Sequence, residues 1–386
     1  MRTISAQEIT DTVARLCIEA NTRLPQDVQA ALDKARQEEP WPLAKSTLDL
    51  LWSNLSAAKE ENLPICQDTG MACVFVELGT DVHIDGSFEA AIHEGVRRGY
   101  TDGYLRKSIV ADPLRRGNTG DNTPAAITVH LVDGDGCTIT VAPKGFGSEN
   151  MSRIQMLKPA DGVEGFRKFV LETVQLAGSN PCPPIVLGIG VGGSFEAAIH
   201  EGVRRGYTDG YLRKSIVADP LRRGNTGDNT PAAITVHLVD GEGCRITVAP
   251  KGFGSENMSQ IKMLKPADGV EGFKKFVLDT VKLAGSNPCP PIVLGIGVGG
   301  SFDKVAYLAK KALLRPLDVP NPDPYYAQLE QELLAAINEL GIGPQGFGGR
   351  TTCLGLAIEQ MPTHVAGLPA AVNISCHVTR RASAEL

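Results

Sequence analysis

The sequence lacks an excess of positive charge, a long apolar run and closely spaced cysteine pairs. Lys and Arg number 38 against 44 Asp and Glu, a net charge of −6, so we expect none of the basic surface that binds nucleic acid. No apolar run approaches the roughly 20 residues of a membrane-spanning helix, and the opening MRTISAQEIT has no apolar signal core. These absences favour a soluble, cytoplasmic protein with no nucleic-acid or membrane partner.

The cysteines have neither of the two common metal-site spacings. Zinc fingers need close CxxC pairs, and ferredoxins need a compact cysteine run. In a cytoplasmic protein such cysteines are expected to be reduced, metal-bound or buried. Four of the nine lie in helical or strand patterns and are predicted to be core: Cys17, Cys73, Cys137 and Cys244.

Residues 86–192 (copy one) recur almost unchanged as residues 193–299 (copy two), an offset of 107 positions. This period exceeds the roughly 20–50 residues of a solenoid repeat and indicates a tandem duplication of a domain-sized segment. Seven pairs differ, all between polar residues: Asp135/Glu242, Thr138/Arg245, Arg153/Gln260, Gln155/Lys262, Arg167/Lys274, Glu172/Asp279 and Gln175/Lys282.

The duplication divides the chain into four segments. Gly-Ser-Phe begins copy one at residue 86 and recurs at residue 300, directly after copy two. Removing one copy leaves 386 − 107 = 279 residues, enough for one large or two modest domains. The segments are an N-terminal helical segment with the first cysteine loop (1–85), copy one (86–192), copy two (193–299) and a C-terminal segment (300–386).

Hydrophobic periodicity predicts an α+β fold, with an N-terminal helical layer followed by mixed helices and antiparallel strands. Ser5 to Glu8 forms a capping-box sequence before the first helix, and helices fill the first 60 residues. Residues 71–78 read as a strand, and residues 127–132 and 137–142 as a hairpin around Asp-Gly-Asp-Gly. Residues 162–177 are predicted to be helical and residues 183–191 to form a buried strand.

Three widely separated loop cysteines form the main chemical candidate. Cys66 opens Cys-Gln-Asp-Thr-Gly, Cys376 lies in Ser-Cys-His, and the middle cysteine of Asn-Pro-Cys-Pro-Pro occurs twice, as Cys182 and Cys289. Three thiolates on a four-iron cube leave one iron open for Lewis-acid chemistry. Cys353 is an alternative third ligand. The alternative for each of these cysteines is an ordinary turn position with no bound metal.

Other residues are candidates for binding a small anion. Arg106, or its copy Arg213, can pair with a carboxylate in bidentate fashion, and His364 can bond to or protonate a substrate. The Lys-Gly-Phe-Gly-Ser-Glu-Asn loops at residues 144 and 251 offer backbone N–H groups. A Gly-x-Gly-x-x-Gly sequence at residues 188 and 295 matches the dinucleotide-binding motif, with Asp318 as the acidic residue that follows it. A dinucleotide site is therefore a weaker alternative.

Several long motifs resemble the alpha-type subunit of iron–sulfur (class I) fumarases and L-tartrate dehydratases. They include CQDTGMACVFVELG, GVRRGYTDGYLRKSIVADPL, NTGDNTPA, APKGFGSENMS, NPCPP, GIGPQGFGG and AVNISCH, which follow one another in family order. The resemblance covers nearly the whole chain apart from the extra copy. It implies a hydro-lyase that dehydrates a small hydroxy-dicarboxylate reversibly.

The resemblance also implies a cofactor, a partner and site residues. A [4Fe–4S] cluster would be held by Cys66, Cys289 and Cys376, while Cys353 would not be a ligand. The catalytic base and further cationic groups of the family lie in a beta region, so a beta-type subunit and a hetero-oligomer are expected. The residues implied to line the substrate are Gln67, Asp68, Arg106, His364 (catalytic) and the last glycine of Lys-Gly-Phe-Gly, assigned to Gly254 with Gly147 as the alternative.

The duplication leaves alternatives open. Cys66 and Cys376 occur once, so the chain can complete one cluster and leaves one middle cysteine over. A mixed site, with Arg106 from copy one and Cys289 from copy two, keeps the family spacing on both sides. A duplicated scaffold that builds no cluster is the second hypothesis, and the sequence does not separate fumarate from tartrate as substrate.

Overall fold

A computed structural model describes residues 2–191 and 213–385, except residues 222, 228, 230, 231 and 242. The start of copy two, including Gly193, lies outside these residues. The chain forms two compact units: a first unit of Met1–Phe146, Leu238–Glu242 and Pro362–Gly367, and a second unit of Gly147–His237, Gly243–Met361 and Leu368–Leu386. No helix in the described ranges combines the length and the apolar character needed to cross a bilayer.

Both units combine helices with open sheets that contain antiparallel strand pairs, which confirms the α+β class. The strands are β1 (Arg2–Ser5), β2 (Met71–Gly79), β3 (Val82–Asp85), β4 (Ile109–Val110), β5 (Ala126–Val132), β6 (Cys137–Lys144), β7 (Arg245–Val248), β8 (Gln260–Leu264), β9 (Ile292–Gly299), β10 (Cys353–Met361), β11 (Thr363–His364), β12 (Leu368–Cys376) and β13 (Ala382–Glu385). The helices are α1 (Ala6–Thr22), α2 (Gln26–Glu38), α3 (Pro42–Glu61), α4 (Phe88–Asp102), α5 (Phe146–Glu149), α6 (Gly162–Ala177), α7 (Phe253–Glu256), α8 (Gly269–Ala284), α9 (Phe302–Ala312) and α10 (Pro324–Asn338).

The first unit packs α1 and α4 against a three-stranded sheet. The capping box before α1 is confirmed, because the Ser5 side chain accepts the Glu8 N–H and the Glu8 carboxylate accepts the Ser5 N–H. The sheet order is β5-β2-β6, with β5 parallel and β6 antiparallel to β2. The predicted hairpin is therefore wrong: β2 lies between the two strands, and its apolar residues take the central position.

The second unit is built on a four-stranded sheet of order β10-β9-β12-β8. Its central strand β9 runs parallel to β10 and antiparallel to β12, and every residue of β9 is buried. Burial of one aliphatic side chain contributes about 1.5–3 kcal/mol. The strand is thus a main source of stability through Ile292, Val293, Leu294, Ile296 and Val298.

The glycines of β9 allow α9 to pack closely on the sheet. A Cβ on Gly295 would lie 2.0 Å from the Ala309 carbonyl oxygen, and one on Gly297 would lie 2.3 Å from the Val305 oxygen. Helix packing therefore accounts for these glycines. Asp318 is exposed in the loop after α9 rather than at a strand end, so the dinucleotide alternative loses its support.

In copy one it is the first half that forms core elements, and in copy two it is the second half. Copy one contributes α4, β5 and β6 to the first unit, whereas the matching stretch of copy two has only the short, exposed strand β7 among its described residues. Copy two contributes β8, α8 and β9 to the second unit's core. In copy one, the predicted buried strand 183–191 is wrong, because these residues are coil and all but the half-buried Ile185 are exposed. Cys244, predicted to be core, is also exposed, since the strand β7 that follows it pairs with the exposed strand β13 rather than with a buried sheet.

Candidate functional site

A buried histidine and a carboxylate form a pair in the first unit. His364, in β11, is 1% exposed, and its Nε2 lies 3.0 Å from Oδ1 of Asp68 in the Cys-Gln-Asp-Thr-Gly loop. β11 reaches this loop by pairing antiparallel with β4. Two residues that are 296 positions apart in the sequence are thereby joined in one hydrogen bond.

The surroundings of His364 fix its tautomer and its plane. The backbone N–H of Ala366 donates to Nδ1 of His364 over 3.1 Å. Since a backbone amide can only donate, Nδ1 is unprotonated and the ring proton lies on Nε2. His364 therefore donates to Asp68. The Phe146 ring stacks on the imidazole, with centroids 4.6 Å apart and planes 9° apart.

Asp68 accepts hydrogen bonds at both of its oxygens. Oδ1 accepts from His364 and from the Gly70 N–H, and Oδ2 accepts from the Phe146 N–H at 3.0 Å. Partial burial opposes the charged form, but the donation from His364 and the two backbone amides outweighs it and lowers the pKa of Asp68. The carboxylate is thus held ionised in a fixed orientation.

The loop that carries Asp68 is anchored by motif residues around it. The buried Tyr100 hydroxyl donates to the Thr69 carbonyl oxygen at 2.7 Å, and Asn122 donates to the Gly70 carbonyl oxygen at 3.2 Å. The Thr69 hydroxyl donates to the carbonyl oxygen of Arg106 at 3.0 Å. Through this bond the backbone of Arg106 is tied to the Asp68 loop, while its side chain is exposed.

Arg116 holds the short segment that carries His364. Its guanidinium donates to the carbonyl oxygens of His364, Val365 and Gly367. The His364 oxygen also accepts from the Gly367 N–H at 3.0 Å, so the turn is held by backbone and guanidinium hydrogen bonds together. Sequence reasoning missed Tyr100, Asn122 and Arg116. Their only signal was membership of the long GVRRGYTDGYLRKSIVADPL and NTGDNTPA motifs and the Arg-Arg-Gly sequence between them.

Two candidate thiols lie at one end of the second unit's sheet. Cys376 is the last residue of β12, and its Cα pairs with Ile292, the first residue of β9. Cys289 lies just before β9, and its carbonyl oxygen is 3.4 Å from Nδ1 of His377. Cys182, the copy-one counterpart, is exposed in a stretch with no strand. Of the two copies, it is therefore copy two that places its middle cysteine at the same end of the sheet as Cys376.

A charged cluster supports the end of β12. Lys251, from copy two, donates from Nζ to the Ile374 carbonyl oxygen at 2.6 Å and forms an ion pair with Glu256 at 3.2 Å. Glu256 also pairs with Lys310 at 2.7 Å and accepts from Asn373 at 2.9 Å. Burial opposes the charge of Glu256, but the two ammonium groups prevail and lower its pKa.

The remaining candidates are distributed over the two units. Gln67 and Cys66 are exposed beside Asp68 in the first unit. Gly254 lies in α7 of the second unit, whereas the copy-one loop supplies the residues that contact Asp68. Cys353 is buried, and burial raises the pKa of its thiol to about 12, which makes it a poor metal ligand.

Among the residues that the structure describes, no complete metal site is assembled. Within the described ranges, no group of three His, Cys, Asp or Glu side chains is placed to hold a metal ion. The donor chemistry nevertheless suits an iron–sulfur cluster, because Cys66, Cys289 and Cys376 are free cysteines and none is buried.

Comparison with known proteins gives consistent matches. A family model described as "Fumarate hydratase (Fumerase)" matches residues 10–200 and again residues 193–385. The chain is 32% identical over 377 residues to the "Putative L(+)-tartrate dehydratase subunit alpha" of Methanocaldococcus jannaschii, covering 97% of this chain and 96% of the relative. It is 24% identical over 377 residues to the "L(+)-tartrate dehydratase subunit alpha" of Escherichia coli K12, covering 98% and 90%.

Proposed function

The chain belongs to the fumarate hydratase (Fumerase) family, and on this premise we propose that it is the alpha-type subunit of a hydro-lyase. Its reaction is the reversible loss of water from a small hydroxy-dicarboxylate, either malate to fumarate or tartrate to oxaloacetate. The single observation that carries the proposal is the Asp68–His364 pair, where three separate motifs meet around one ionised carboxylate.

The proposed cofactor is a [4Fe–4S] cluster held by Cys66, Cys289 and Cys376. Their accessibility supports this assignment, as does the position of Cys289 and Cys376 at the same end of the sheet. When bound, a cluster with three thiolate ligands supplies an open iron that acts as a Lewis acid toward the substrate hydroxyl. Cys182 is the thiol left over.

The protein groups bind and orient the substrate in this proposal. Arg106 binds one substrate carboxylate through a bidentate pair, next to Gln67 and Asp68. His364 acts through Asp68, because its single ring proton is already donated to that carboxylate. Gly254 remains the assigned glycine donor. The contact of copy one's loop with Asp68 makes Gly147 its rival, and substituting each glycine by alanine would separate them.

A beta-type subunit completes the proposed enzyme in a hetero-oligomer. Proton removal from the carbon next to the hydroxyl needs a base, and Asp68 is not suited to this task because three donors stabilise its ionised form. The base and additional cationic groups are therefore assigned to the partner, as are the remaining contacts with the second substrate carboxylate. The proposed compartment is the cytoplasm.

The test uses the full chain, reconstituted anaerobically with iron and sulfide and mixed with a beta-type subunit. Conversion of malate, fumarate and tartrate is followed, together with iron content. Arg106→Met is expected to lower kcat/KM by about tenfold to a hundredfold, the loss typical of removing a hydrogen bond to a charged group. The matched control Arg213→Met should leave kcat/KM unchanged. Wild-type protein that binds no iron and converts none of these substrates would instead favour the non-catalytic scaffold.

A further inference from the structure

Residues 152–191 of copy one (the spare segment) duplicate residues 259–298 of copy two (the seated segment). The seated segment contains β8, α8 and most of β9 and lies in the core of the second unit. In the spare segment, α6 also forms, but Ala177 is its one buried residue. Val186, Leu187 and Ile189 are 86%, 49% and 54% exposed, whereas their counterparts Val293, Leu294 and Ile296 are 3%, 0% and 0% exposed.

The partner that fits this apolar face is visible in the same molecule. Strands β10 and β12 of the C-terminal segment cover both edges of the seated strand β9, and α9 packs on its glycines. Every apolar residue of the seated segment has an identical counterpart in the spare segment. The shape and chemistry that the C-terminal segment recognises are therefore present twice.

The differences between the two segments do not select between them. Five of the seven differing pairs fall here, and none of the five copy-two residues is buried. Lys274 forms an ion pair with Glu332 of α10 at 2.7 Å, and Arg167 carries the same charge at the matching position. The displaced chain is also equally long in either arrangement, because the period is 107 residues, so the entropy of closing the loop is the same.

We propose that the C-terminal segment can pair with either copy. The spare segment replaces the seated segment when a substitution prevents the seated segment from packing in the core. In the replacement arrangement, the chain continues from Phe146 directly into the second unit through residue 191. It returns at Gly300, and copy two becomes the displaced loop. The exposed face of the spare segment is thus a binding surface for the chain's own strands β10 and β12.

The test compares Leu294→Asp, Leu187→Asp and the double variant in the full chain. Thermal unfolding is followed by circular dichroism, and trypsin cleavage is mapped by mass spectrometry. Peptides of the two copies differ in mass because Arg167 corresponds to Lys274. Leu187→Asp should change neither readout, since that side chain is already half exposed. The double variant should lose the cooperative melting of the second unit.

Leu294→Asp alone decides the proposal. We expect it to lower the melting temperature by less than about 5 °C, with cleavage at Lys274 rising about tenfold and cleavage at Arg167 falling correspondingly as protection moves to copy one. If Leu294→Asp unfolds the second unit as completely as the double variant, the spare segment does not replace the seated one. A retained melting transition without transfer of protection would overturn the proposal as well.

Discussion

Copy one and copy two have nearly the same sequence, but different halves of the two copies fold into the cores of the two units. The first half of copy one forms α4, β5 and β6 in the first unit, and the second half of copy two forms β8, α8 and β9 in the second. The other two halves are largely exposed where they are described. The copy with access to partner strands folds onto them, and the copy without access does not.

The difference between helices and strands explains which structures survive in both copies. Helix α6 and helix α8 have matching bounds, although one is exposed and the other is core. A helix satisfies its backbone hydrogen bonds internally, whereas a strand needs a neighbour. Residues 185–191 are coil in copy one, and their equivalents form β9 in copy two, so strand formation here depends on tertiary partners.

The largest effect is expected for a core residue that has no duplicate. Val372 of β12 is 1% exposed and pairs with both Ile296 and Gln260. Val372→Asp buries an uncompensated charge and should destabilise the second unit by about 3–5 kcal/mol, measured by denaturant unfolding. Leu294→Asp should lower the unfolding free energy clearly less, because the spare segment can take the place of the seated segment. Equal losses in the two variants would remove the distinction between unique and duplicated positions.

The cysteines should follow the same order in iron content and activity. Cys66→Ser and Cys376→Ser have no duplicate and should each lower activity by about a hundredfold or more, since a missing ligand costs more than a missing neighbour of a ligand. Cys289→Ser should give a partial loss, and Cys182→Ser should give none. A Cys182→Ser loss larger than that of Cys289→Ser would reverse the assignment of the copies.

A smaller effect is expected from acid. The folded-state pKa of Glu256 is lowered by Lys310 and Lys251, so its stabilising contribution is complete above its usual value and is lost as the pH falls below 4.5. Lys310→Met should raise this pKa and move the acid-unfolding midpoint to higher pH. The neighbouring Lys311→Met is the control, because Lys311 pairs with Glu359 instead; equal shifts would show that general charge, not the Glu256 cluster, is responsible.

The smallest effect is expected from deleting residues 147–253, which joins Phe146 to Gly254 and restores one Lys-Gly-Phe-Gly-Ser-Glu-Asn sequence. The deletion removes Lys251 from the charged cluster, but it puts Lys144 at the same sequence distance from Glu256. Long loops are tolerated thermodynamically, so activity with the beta-type subunit should stay within about twofold of the full chain. Loss of folding in this shortened chain would show that the displaced residues contribute to the core after all.

Local features were predictable from the sequence, and pairings were not. The capping box at Ser5 and the helix at residues 162–177 depend on neighbouring residues, and both are confirmed. The hairpin prediction failed because β2 competes for the same strands. No spacing rule connects Asp68 to His364; only the family resemblance grouped them, and the hydrogen bond between them depends on the pairing of β4 with β11.

The exposed Pro-Ile-Val-Leu-Gly-Ile-Gly-Val stretch of copy one also bears on how the chain behaves in crowded solution. Its apolar, uncharged residues are identical to those of β9, a strand that is paired on both edges. Any neighbouring chain with an unpaired strand edge could therefore form backbone hydrogen bonds with this stretch. Short apolar segments of this kind promote aggregation and attract chaperones. Solubility during synthesis, rather than catalytic power, then becomes the property most sensitive to carrying two copies.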